Sequence, residues 1–191
     1  MTMQHLSRSI ATGLSTILLG LPLPCLGADY IIDKEGQHAY IIFKASHLGY
    51  SYIIGHFEDF EGTFTHDADN PQSASVEVTI RTASLDSDHA ERDKHLKGPE
   101  FLDADKYPEI RFVSTGFQGD ATSGELSGTL SLRGIDQAVT LQVQQIGEGK
   151  DPWGGYRSGF EGSVVLSAAD FDLPAWVGDV EVNLIVEGIR Q

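Results

Sequence analysis

Leu126-Ser127-Gly128-Thr129-Leu130-Ser131-Leu132-Arg133 sets apolar or small residues at every even position and polar or charged ones at every odd position. Side chains on a strand point alternately to its two faces, so this stretch reads as a half-buried β-strand with one wet face. Eight stretches of the chain keep this rhythm, and one segment between them breaks it. The first covers about residues 30–46, with a break at Lys34-Glu35-Gly36 and with Ala39, Ile41, Phe43 and Ala45 on one apolar face. The second, about residues 52–65, carries Phe57, Phe60 and Phe64, with Gly55 and Gly62 where bulges or tight bends are expected. The third, residues 75–81, turns Val76, Val78 and Ile80 inward.

Five more strands are expected near residues 110–117, 124–133, 138–146, 156–167 and 180–189. Asn70-Pro71, Gly119-Asp120, Gly134-Ile135-Asp136 and residues 147–155 supply turns between strands. Short connections favour antiparallel neighbours, and eight such strands close into an up-and-down barrel with no exposed edge. The expected fold is therefore all-β, an eight-stranded antiparallel barrel. A seven-strand sandwich explains the strands equally well but the interrupting segment less well. That segment, residues 86–108, opens with Asp88 and Glu91 at capping-box spacing and stops at Gly98-Pro99. A short helix over residues 89–97 follows, and Phe101 sits in a lid-like position after it.

The N-terminus is set apart from this pattern. His5 and Arg8 precede an apolar run from Ile10 to Leu21, then Pro22, Pro24 and the small residues Gly27 and Ala28. This describes a secretory signal peptide over residues 1–28, cleaved near 27/28, followed by one domain over residues 29–191. The run is too short to span a bilayer, so no stable membrane insertion is expected. Cys25 would admit a lipoprotein reading, although Pro24 before it suits that processing poorly. Lost with the leader, it leaves a mature chain without disulfide or thiolate chemistry. Twenty-eight acidic residues face 13 basic ones, which argues against a nucleic-acid partner and against docking on anionic lipid.

Motifs for chemistry are weak. His47, His56, His66, His89 and His95 show no metal-ligand spacing, and no metal is expected. Glu91, Arg92, Asp93, Lys94 and Lys97 read as ion pairs on a solvated helix face. Ser51 with His47 or His56 and Asp33 or Asp59 could be drawn as a hydrolase triad, but no G-x-S-x-G elbow supports it. No phosphate loop or dinucleotide fingerprint is present, so no cofactor is expected. Trp153 and Trp176, in or beside loops, read first as plugs at a barrel end and second as a ligand-facing rim. Alternation alone does not distinguish a filled barrel from a hollow one, because small inward residues such as Ala39, Ala45 and Gly128 fit either.

Longer motifs carry a resemblance. Ala28-Asp29-Tyr30, Ile32-Asp33-Lys34-Glu35-Gly36-Gln37-His38-Ala39, His47-Leu48-Gly49-Tyr50-Ser51 and Phe57-Glu58-Asp59-Phe60-Glu61-Gly62 resemble the YceI family, in order along the chain. His89-Ala90-Glu91-Arg92-Asp93-Lys94-His95-Leu96, Lys106-Tyr107-Pro108 and Asp151-Pro152-Trp153-Gly154-Gly155 fit as well. The resemblance implies an exported, lipocalin-like barrel whose tunnel binds a long-chain lipid: an isoprenoid, a quinone-like molecule or a fatty amide. The chain departs from the family pattern at residues 172–178, a shortened loop holding Trp176 where a longer basic segment is usual.

The expected function is therefore periplasmic lipid binding or carriage without chemistry. The candidate contact residues are Phe43, Phe57, Phe60, Phe64, Phe101, Phe112, Phe160 and Trp176. A serine hydrolase using Ser51, and a filled barrel acting through protein partners in a stress response, are the alternatives. A homodimer is one assembly open to such a chain.

Overall fold

In the computed structural model, which describes residues 27–191, every alternating stretch is a strand. The proposed leader, apart from its last two residues, lies outside the described residues. The strands are β1 (Ala28–Ile32), β2 (Tyr40–His47), β3 (Ser51–Phe57), β4 (Phe60–His66), β5 (Ser75–Arg81) and β6 (Leu85–Asp86). After the helix α1 (Ala90–Leu96) come β7 (Glu109–Gly119), β8 (Ser123–Leu132), β9 (Ile135–Lys150), β10 (Tyr156–Ser167) and β11 (Asp179–Arg190).

These segments make eight wall strands, because β1 with β2, β3 with β4, and β5 with β6 are each one strand interrupted. The order runs up and down with sequence neighbours paired, and β11 closes the ring. Its C-terminal end pairs with β1 (Ile32↔Gly188) and its N-terminal half with β2 (Phe43↔Val182). Closure satisfies the backbone groups that an open sheet would leave at its edges. The first interruption lies at the turn read from Lys34-Glu35-Gly36, where the Gly36 N–H donates to Asp33 Oδ1 at 2.8 Å. Leu126, Gly128 and Leu132 of β8 are buried, as the alternation requires.

Three local expectations need correction. Gly55 and Gly62 pair in regular register and mark no bulge; the register shifts lie at Ser114/Gly116 and Gly159/Phe160. The helix cap is His89, whose Nδ1 accepts the Arg92 N–H at 3.2 Å, and not Asp88, which sits at φ 60°. The expected ion pairs along α1 give way to bonds with the preceding turn. Asp93 accepts from the Ser87 N–H at 2.9 Å, and Arg92 Nε donates to Ser87 Oγ at 2.8 Å. Ser87 is buried, so these bonds offset the cost of removing its polar groups from water.

Gly55 and Gly128 have a different use. A Cβ on Gly55 would run into the Phe43 ring, and one on Gly128 into the Phe112 ring. Each aromatic ring thus lies down over a glycine in the wall, and the middle of the barrel stays clear of it. Tyr30, Ile32, Ile41, Phe60, Phe64 and Phe171 pack into the core cluster. Among the described residues, no helix is long and apolar enough to cross a membrane.

Candidate functional site

With the rings against the wall, the lumen is a cavity of about 750 Å³. Its wall reaches from Leu48, His95 and Trp176 at the α1 end to Pro71, Ala121 and Thr122 at the opposite end. The volume falls within the usual range for small-molecule sites, and most of the wall is aliphatic or aromatic.

Seven of the eight candidate contact residues lie on this wall: Phe43, Phe57, Phe64, Phe101, Phe112, Phe160 and Trp176. Phe60 is only 3% exposed and belongs to the packed core cluster, away from the cavity wall. Phe64 is stacked on Tyr30, with ring centroids 4.8 Å apart, and meets Phe160 edge-on at 5.6 Å. Selecting aromatics by size misses much of the wall, since Leu126, Leu130, Leu141, Val164, Val182 and Leu184 share it. The signal for them was present in the same alternation.

Helix α1 and two loops shape one mouth. His95 Nε2 lies 2.9 Å from Glu100 Oε2, and its ring meets Phe101 edge-on at 4.9 Å. Phe101 in turn meets Trp176 edge-on at 5.8 Å. Arg133, from the β8–β9 turn, ties both sides together. Its guanidinium donates to the Pro99 carbonyl at 3.0 Å and to the Asp172 carbonyl. Trp176 is 69% exposed and Trp153 78%, so neither is a core plug. Trp176 occupies the rim, whereas Trp153 lies in the β9–β10 turn with the Arg157 guanidinium 5.6 Å from its ring centroid.

The two acids drawn into a triad are engaged elsewhere. Ser51 lies exposed opposite His47 in the β2–β3 pairing. Asp33 bonds Arg157, and Asp59 pairs with Lys34. Neither of these two acids is placed to orient an imidazole beside Ser51, which a triad requires. Of the five histidines considered as ligands, His66 faces the lumen, His89 caps α1 and His95 bonds Glu100. Asp33, His38 and Glu187 do converge, but around the Arg157 guanidinium, which supplies the positive charge there.

The barrel and its cavity place the chain among known proteins. A YceI-like domain model matches residues 30–188. A UPF0312 protein of Pseudomonas aeruginosa (strain LESB58) is 50% identical over 170 residues, covering 87% of this chain and 89% of its own. Burkholderia cenocepacia BcnA shares the fold with TM-score 0.72 at 19% identity, covering 82% of this chain and 98% of its own. A polyisoprenoid binding domain from Saccharophagus degradans, implicated in plant cell wall breakdown, gives TM-score 0.62 at 14% identity, covering 86% and 99%. At such identities the solved structures establish the fold alone. The domain match over nearly all the described residues and a half-identical relative of similar length establish more: the chain belongs to the YceI family.

Proposed function

We propose that this protein is an exported carrier that holds a long-chain apolar lipid in its lumen and performs no chemistry on it. The observation that carries the reading is the cavity of about 750 Å³, walled mostly by aliphatic and aromatic side chains from one end of the barrel to the other. Each methylene moved from water into such a wall contributes about 0.8 kcal/mol, offset in part by the cost of ordering the chain. Affinity therefore accumulates along a long tail without charge pairing. An isoprenoid, a quinone-like molecule and a fatty amide all meet that requirement. The description of one fold relative as a polyisoprenoid binding domain favours the first.

The leader over residues 1–28 would deliver the chain to the periplasm, where an acidic shell around an apolar tail can cross water. Titration with hexaprenol, followed by intrinsic tryptophan fluorescence, tests the binding. Saturation at one lipid per chain is expected. A response that never saturates, or none, would contradict the reading.

Entry and exit are assigned to the mouth beside α1. Trp176 closes part of it through an edge-on contact with Phe101, of a kind worth about 0.5–1.5 kcal/mol. Trp176→Ala is expected to speed transfer of hexaprenol to acceptor vesicles by roughly threefold to tenfold in a stopped-flow assay. An unchanged rate would place the exit elsewhere.

A further inference from the structure

His66 ends β4 on the inward face, two residues beyond Phe64, and stands at the end of the cavity away from α1. It is 9% exposed and packs edge-on against Phe160, with centroids 5.2 Å apart. Its Nε2 is buried and has no hydrogen-bond partner among the described residues. A buried polar atom left unbonded costs about 1–3 kcal/mol, so on a residue that lines the cavity such an atom marks a place where a ligand, met by a small turn of the ring, can supply the missing bond. The other end of the cavity offers no equivalent. Arg92 and His95 there are already bonded, to Ser87 and Glu100, Ser46 and His47 are exposed, and none of the described polar residues lining that end holds a buried side-chain atom without a partner.

We propose that His66 is the head-group recognition residue of the lumen, its Nε2 bonding the oxygen of an uncharged polar head, an alcohol or a carbonyl. The proposal rests on the lipid-carrier reading and gives that lipid a direction: head at the β4–β5 end, tail toward α1. As Nε2–H the ring donates to a hydroxyl or carbonyl oxygen, and in the other tautomer it accepts from a hydroxyl. Charge selects against a phosphorylated head. Asp120 borders the same end of the cavity, and the surrounding wall offers little solvation to an anion.

Three ligands with equal numbers of isoprene units separate the possibilities: squalene, hexaprenol and hexaprenyl phosphate. The wild-type protein is expected to bind hexaprenol about tenfold more tightly than squalene, the worth of one buried hydrogen bond, and hexaprenyl phosphate more weakly than hexaprenol. His66→Leu should erase the preference for hexaprenol while squalene still binds at least as tightly as to the wild type, which also shows that the variant is folded. His66→Gln, which keeps a hydrogen-bonding group, should retain part of it. Equal affinity for squalene and hexaprenol in the wild type, tightest binding of the phosphate, or an undiminished preference in His66→Leu would overturn the proposal while the carrier reading stands. Failure of all three lipids to bind would instead remove the carrier reading, and this proposal with it.

Discussion

Val182→Trp is expected to lower hexaprenol affinity at least about a hundredfold while leaving the barrel folded. Val182 is the fourth residue of β11, in register with Val164 on β10 and Phe43 on β2, and all three side chains line the lumen. An indole at this position fills space that a lipid chain would occupy. Excluding four methylenes removes about 3 kcal/mol, which corresponds to a hundredfold or slightly more. Overpacking a filled core costs about 1–3 kcal/mol, but here the added ring has a cavity to enter. Circular dichroism and thermal melting should therefore stay near wild type while binding is lost. Undiminished binding by a folded Val182→Trp protein would mean that the lumen does not hold the lipid.

Arg157→Ala is expected to destabilise the fold by about 3 kcal/mol at neutral pH. The guanidinium joins segments distant in sequence: Nε donates to Asp151 Oδ2 at 3.0 Å, and Nη1 reaches Asp33 beyond the end of β1 and Glu187 on β11. Asp33 and Asp151 are each 7% exposed, so removing the cation strands two nearly buried carboxylates beside Glu187. The lower part of the range for broken buried pairs is appropriate because the side chain of Glu187 is 32% exposed and Arg157 itself 21%.

The pH dependence has a definite sign. The Arg157 bond, helped by the Gly36 N–H, holds Asp33 below the usual carboxylate range. The Gly155 N–H, with a bond from Arg157, does the same for Asp151. Carboxylates lowered in the folded state contribute stability that is complete above the unfolded value of about 3.9 and lost as pH falls through the folded values. Wild-type stability should therefore hold from about pH 7 to pH 5 and decline below about pH 4. The deficit of Arg157→Ala should narrow over that decline, since the stranded carboxylates become neutral. Urea midpoints measured at both ends of the range check this, and a deficit independent of pH would show that the network contributes packing and not charge.

The wall was legible in the chain and the emptiness inside it was not. Alternation from Leu126 to Leu132 and the break at Lys34-Glu35-Gly36 are local properties, and both appear where the sequence places them. Hollowness depends on where the rings lie. Phe43 rests over Gly55 on the neighbouring strand and Phe112 over Gly128, cross-strand relations that residue order does not display. For the same reason residue order does not show that, of the two core residues Phe60 and Phe64, both inward on β4, Phe64 alone also lines the cavity. The helix cap was misplaced by one residue because Asp88 is the stronger capping type, yet its backbone turns to positive φ and leaves His89 to accept the bond. His66 read as one of several scattered histidines. Its isolation emerges only when the cavity end around it is seen.

Native mass spectrometry of the protein, purified without detergent from cells that produce and export it, tests the lipid-carrier claim most directly. A population heavier than the mature polypeptide by the mass of one long-chain lipid is expected, with the excess released into organic solvent and restored by added hexaprenol. Bare polypeptide in every preparation, together with no uptake of hexaprenol, would contradict it.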